Sequence, residues 1–139
     1  MKTHINKLVM VTVVLLFSAF LFSFVTPQEK IKKPWDIPEK YKKMENPYAE
    51  DQSLVKVGKS LYAKHCRSCH GNKGLGDGPK AKKMKSFLGI FNSEEFQANT
   101  DGELFYKSII GRDEMPNYEK KIPDVEDQWA VIMYLRTLK

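Results

Sequence analysis

His65-Cys66-Arg67-Ser68-Cys69-His70-Gly71, continuing through Asn72-Lys73-Gly74-Leu75-Gly76-Asp77-Gly78-Pro79, is the stretch on which the reading of this chain turns. Two thiols separated by two residues, with an imidazole immediately after, form C-x-x-C-H, the pattern of covalent haem attachment. The spacing is chemical in origin. Two intervening residues let both sulfurs reach vinyl groups on neighbouring pyrroles, and the next side chain then faces the metal. Cys66 and Cys69 are both of the cysteines in the 139-residue chain. Three blander readings compete. A disulfide between them would close a very small loop and add little stability. A thioredoxin-like redox pair belongs at the start of a helix in a strand-rich fold, and here the motif follows a helix. A zinc site needs four ligands around one ion, and His65, Cys66, Cys69 and His70 are too contiguous to surround it.

Upstream of the motif, Leu54, Val57, Gly58, Leu61 and Tyr62 recur on one face of a helix predicted over Gln52–His65, with Asp51 or Ser53 as N-cap. Downstream, the glycine-rich loop leads through a lysine-bearing stretch to a short helical piece near Ser93–Gln97. Thr100-x-x-Glu103 is a capping box that opens a helix predicted over Asp101–Ile110 and closed by Gly111. A last helix starts after Pro123 with Asp124 as N-cap and places Val131, Tyr134, Leu135 and Leu138 at i, i+3, i+4, i+7. No segment reads as a strand. The class is therefore all-α with long loops. A domain of about ninety residues is near the size at which apolar burial alone is marginal, so an internal prosthetic group would help to hold it together.

Three regions follow: 1–25 as an export segment, 26–50 as a Pro/Lys-rich tether and 51–139 as the folded domain. Lys2 and Lys7 precede an apolar stretch, residues 8–25, broken only by Thr12, Ser18 and Ser23. That stretch just reaches membrane-spanning length, and Phe20, Phe22, Phe24 and Val25 stand where a cleavage site needs small residues. The expectation is an uncleaved anchor, with a signal peptide cut near Thr26 as the alternative. Either way the domain is exported to the periplasmic side of the cytoplasmic membrane. Pro27, Pro34, Pro38 and Pro47 give the tether no helical period. Its aromatics Trp35, Tyr41 and Tyr48 are open to packing on the domain or to partial exposure. The formal charge is +6, and about +4 without Lys2 and Lys7. Lysines spread along the chain, with acidic Asp124, Glu126 and Asp127 near its end, do not make the basic stripe of a nucleic-acid binder, so no nucleic-acid partner is expected.

If His70 ligates iron on one side, the other axial ligand has to come from elsewhere. His4 lies in the export segment and His65 abuts the first attachment cysteine, which leaves methionine. Met133 falls inside the last helix as core filler, and Met44 belongs to the tether. Met115 follows a helix C-terminus and precedes Pro116, which can hold a ligand loop still; Met84, in the basic loop, stays a rival on sequence alone. A His/Met pair fills both axial positions and raises the reduction potential, which suits passing electrons rather than binding a substrate.

Over about Asp51–Leu138 the chain resembles the class I cytochrome c family. Gly58 and Tyr62 stand where that family has a glycine and an aromatic on the first helix, facing the last helix around Val131, Tyr134 and Leu135. The resemblance implies a cytochrome c fold, with crossed terminal helices around one covalently bound haem c. Gly76-Asp77-Gly78-Pro79 looks like the family loop whose proline carbonyl accepts the histidine Nδ1 proton, which would give Pro79 that role toward His70. Gly111-Arg112-x-x-Met115-Pro116 resembles the methionine-ligand loop of bacterial monohaem cytochromes and favours Met115 over Met84. There Arg112 is either a haem-propionate contact or a solvated charge. The implied cofactor residues are thus Cys66, Cys69, His70, Pro79, Arg112 and Met115, with His70 and Met115 on the metal.

The tether, with Trp35, Pro38, Asn46 and Pro47, looks like the lead-in to cytochrome subunits of membrane quinol-oxidising complexes. That implies redox-protein partners, a quinol-oxidising complex on one side and a terminal oxidase on the other. Lys73, Lys80, Lys82, Lys83 and Lys85 either steer an acidic redox partner or form a solvated loop. The expected activity is one-electron transfer without catalysis in a respiratory or related chain. A peroxidase-like enzyme and a gas-binding sensor are the readings of other classes, and both require an open iron position.

Overall fold

The structure, a computed structural model, describes residues 30–139 together with Met10. The export segment therefore lies outside the described residues apart from Met10, and no described helix is long and apolar enough to cross a membrane. The chain forms α1 (Glu39–Lys42), α2 (Leu54–His65), α3 (Arg67–His70), α4 (Glu94–Gln97), α5 (Asp101–Phe105) and α6 (Val125–Thr137). A 3₁₀ turn covers Ala81–Lys83 and a π-helical turn covers Tyr106–Ile110. The described residues contain isolated β-bridges but no strand. The class is all-α, as expected.

Helices α2 and α6 cross and pack on each other more extensively than any other pair. Gly58 makes the crossing possible, because a Cβ there would lie 1.8 Å from the Ala130 carbonyl oxygen. Tyr62 meets Tyr134 at 5.2 Å between ring centroids. Behind the crossing, Tyr62, Leu104, Phe105, Ile109, Trp129 and Ile132 are buried in one apolar cluster. Met133 is buried with Leu54 and Ala130 in a second, smaller cluster, the filler role its helical position gave it.

The starts of α4, α5 and α6 follow their caps, whereas α2 begins at Leu54 with no side-chain bond from its N-cap Ser53. Asp124 Oδ1 accepts from Glu126 N at 2.9 Å, and Ser93 Oγ accepts from Phe96 N at 3.2 Å. Both bonds of the capping box are present: Glu103 N donates to Thr100 Oγ1 at 3.2 Å, and Thr100 N donates to Glu103 Oε2 at 2.8 Å. The helix that the box opens is α-helical only to Phe105 and then widens into the π turn, where Gly111 N donates to the Tyr106 carbonyl at 3.0 Å.

Residues 30–50 realise both possibilities left open for them, contact with the domain and partial exposure. They are packed on the domain and contain α1, a single turn with Glu39 near Lys42 and Lys43 at 3.4 and 3.5 Å. Ile37 is buried, and Tyr41 stacks on Phe105. Gly102 admits the backbone of this segment, since a Cβ there would lie 2.0 Å from the Tyr41 carbonyl oxygen. The prolines prevent a long helix but not contact between the domain and the aromatics among them, Trp35, Tyr41 and Tyr48, which are half-buried. Contacts with the domain reach back to Lys30, whose Nζ donates to the Ala81 carbonyl at 2.9 Å.

Candidate functional site

The end of α2 and the turn α3 present the two cysteines. Cys66 N donates to the Tyr62 carbonyl at 2.9 Å, and the Cys66 carbonyl accepts from Cys69 N at 3.1 Å and His70 N at 3.0 Å. C-x-x-C-H is thus wound into one helical turn directly after the long helix. The glycine-rich loop folds back over that turn. Lys80 N, Gly78 N and Gly76 N donate to the carbonyls of Ser68, Cys69 and His70 at 2.8, 3.2 and 2.9 Å. These are carbonyls that a helix end leaves without partners, so the loop caps the turn and fixes its side chains. From the core side, Tyr62 Oη donates to the Gly71 carbonyl at 2.7 Å.

Both thiols are free, so the disulfide reading is not realised. Burial, with a smaller contribution from Cys69, pushes the Cys66 thiol up to about 12. A redox-active pair needs a depressed thiol, and this environment does the opposite. No three His, Cys, Asp or Glu side chains gather into a metal cage among the described residues.

His70 is buried, with its ring 4.8 Å from that of Phe91. Burial pulls its pKa down to about 4, so the imidazole is neutral at physiological pH, the form that ligates metal. Its Nδ1 is buried without a hydrogen-bond partner. The expected bond to the Pro79 carbonyl is therefore not made. The loop is tied by its amides to the outer carbonyls of the turn, which leaves Pro79 exposed while the imidazole is buried against Phe91.

Met115 lies in a tight turn after the π segment, with Met115 N donating to the Arg112 carbonyl at 2.8 Å and Asp113 at φ 49°. Its side chain is partly buried against the core cluster that Cys66 also touches. Met84 is partly exposed beyond the 3₁₀ turn and is not packed on that cluster. Arg112 is not a freely solvated charge. Its Nη atoms donate to the carbonyls of Pro34 and Lys33, and its guanidinium lies 4.0 Å from the centroid of the Trp35 ring. The reason is the folded segment 30–37, which brings carbonyls and an aromatic face to the guanidinium. Sequence reasoning also passed over Glu114, whose carboxylate accepts from Ser86 N at 2.7 Å and Lys85 N at 3.0 Å. Neither partner is near in sequence, so no local signal marks the pairing.

The chain's residues fit a covalently attached haem. Two unbridged thiols flank one turn, the next side chain is a buried neutral imidazole with an orphaned nitrogen, and a thioether borders the same cluster as Cys66. Residues 55–139 match the family model described as Cytochrome c. No curated protein matches the chain.

Proposed function

The chain belongs to the cytochrome c family, whose work is haem-based electron transfer, and from that premise we propose that it is a one-haem electron carrier acting outside the cytoplasmic membrane. The observation that carries the site assignment is the pair of free thiols on one capped helical turn that ends in buried, neutral His70. Cys66 and Cys69 would each add S–H across a vinyl double bond, forming a thioether with no oxidant required. His70 and Met115 would hold the haem iron. The haem supplies a centre that gains and loses one electron.

This chain's residues supply rigidity and exclusion of water. The crossing of α2 and α6, the loop amides on Ser68, Cys69 and His70, and the Tyr62 hydroxyl on Gly71 hold the turn, so that a change of charge requires little movement of the ligands. No general acid or base is called for. The apolar stretch 8–25 supports export with membrane attachment. The lysines at 73, 80, 82, 83 and 85 are exposed and support short-lived contacts with acidic redox partners, between a quinol-oxidising complex and a terminal oxidase.

Absorption spectra of the haem-matured protein, oxidised and reduced, with and without carbon monoxide, test this reading. Covalent low-spin haem indifferent to carbon monoxide is the expected result. Ready carbon monoxide binding would move the function toward catalysis or gas sensing, and absence of covalent haem would overturn it.

A further inference from the structure

The loop that carries Met115 has no regular secondary structure, yet the residues around the methionine are tied to two other segments. Arg112 reaches the carbonyls of Lys33 and Pro34 and lies over Trp35 at 4.0 Å. Glu114 accepts from the amides of Lys85 and Ser86. Those two segments are in turn tied to each other: Ile31 N donates to the Lys85 carbonyl at 3.1 Å, and Phe87 N donates to the Ile31 carbonyl at 2.9 Å. The three pieces form a closed network, with each joined to both of the others. Trp35 also meets Tyr106 edge-on at 6.3 Å, in the π turn that leads into the Met115 loop. The N-terminal partner in this network precedes residues 55–139, the part of the chain that matches the family model.

We propose that residues 31–37 form a strap whose contact with Arg112 fixes the Met115 loop, making Arg112 and Trp35 positioning residues for the thioether ligand. The inference rests on the reading of Met115 as an axial ligand. A guanidinium bonded to two backbone carbonyls and stacked on an indole is held both in direction and in distance. The Arg112 carbonyl accepts from Met115 N across the same turn, so the clamp acts three residues from the sulfur-bearing side chain. Released from it, the loop would sample more conformations, and external ligands would compete better with the thioether.

The test uses the full-length, haem-matured protein and the variants Arg112→Ala, Arg112→Lys and Trp35→Leu, with Met115→Ala as reference. The readouts are the long-wavelength absorption of thioether-ligated ferric haem and the carbon monoxide affinity of the ferrous form. Weakening of that absorption and an affinity gain of about ten-fold in Arg112→Ala are expected, a part of what the lost charge-assisted hydrogen bonds and cation–π contact contribute to holding the loop. Trp35→Leu should move both readouts in the same direction by less. Far-ultraviolet circular dichroism checks folding, and if Arg112→Ala loses its helices, Arg112→Lys and Trp35→Leu decide. Unchanged absorption and carbon monoxide affinity in the folded variants would overturn the strap. If the thioether signature is missing from the unsubstituted protein, or survives Met115→Ala, the ligand assignment fails and the strap proposal falls with it.

Discussion

Tyr62 serves two structures with one side chain: its ring lies in the helix crossing against Tyr134, and its hydroxyl reaches past the core to the Gly71 carbonyl at 2.7 Å. Removing only the hydroxyl leaves a buried carbonyl unpaired, so Tyr62→Phe should cost about 1–2 kcal/mol. Denaturant unfolding of the haem-loaded protein checks this, and a change within a few tenths of a kcal/mol would mean that water replaces the bond. Cys66→Ala asks a chemical question of the neighbouring position. It should leave haem attached through Cys69 alone, seen as a reduced-haem spectrum shifted toward that of free vinyl groups; two intact thioethers would refute the attachment motif. At this scale the turn that joins Cys66, Cys69 and His70 was legible because the motif is contiguous. Arg112 was not, because the carbonyl it binds at Pro34 is 78 residues away and nothing local marks the pairing.

The same division between local and long-range causes runs through the helices. Capping boxes and N-cap aspartates are written in three or four adjacent residues, and α5 and α6 begin where those signals place them. The π turn after Phe105 has no comparable signature. Tyr106, at its start, contacts Tyr41 at 4.8 Å and Trp35 at 6.3 Å, so its surroundings come from a distant segment. Likewise α1 is one turn long, too short to show a period among its prolines. Gly58 is the position at which an element-scale prediction is sharpest. A Cβ placed 1.8 Å from the Ala130 carbonyl oxygen meets backbone, which cannot rotate away, so α2 and α6 must separate. Gly58→Ala should lose about 3 kcal/mol or more. A shift in the denaturation midpoint measures it, and near-wild-type stability would show that the helices slide apart at little cost. Thr100→Ala should remove about 1 kcal/mol by opening the capping box, without moving the crossing.

For the molecule as a whole, the all-α class was readable from helical periodicity and caps, and the packing of α2 on α6 followed from the family resemblance. The packing of residues 30–50 was not readable, because Trp35 and Tyr41 meet rings at Tyr106 and Phe105, more than sixty positions later. Charge is the property that belongs wholly to this scale. The chain carries +6, and none of Lys73, Lys80, Lys82, Lys83 and Lys85 forms an ion pair among the described residues. An unpaired cluster projects its field into solvent, and that field reaches about 30 Å at 0.01 M salt but about 8 Å at 0.15 M. Electron transfer to an anionic oxidant should therefore slow as salt is added, and Lys82→Glu with Lys83→Glu should flatten that dependence. Lys120→Glu with Lys121→Glu makes the same change of net charge elsewhere in the chain. If steering belongs to the cluster, stopped-flow rates will separate the two double variants at low salt and converge at high salt. If the two behave alike throughout, net charge alone is at work and the cluster is a solvated face.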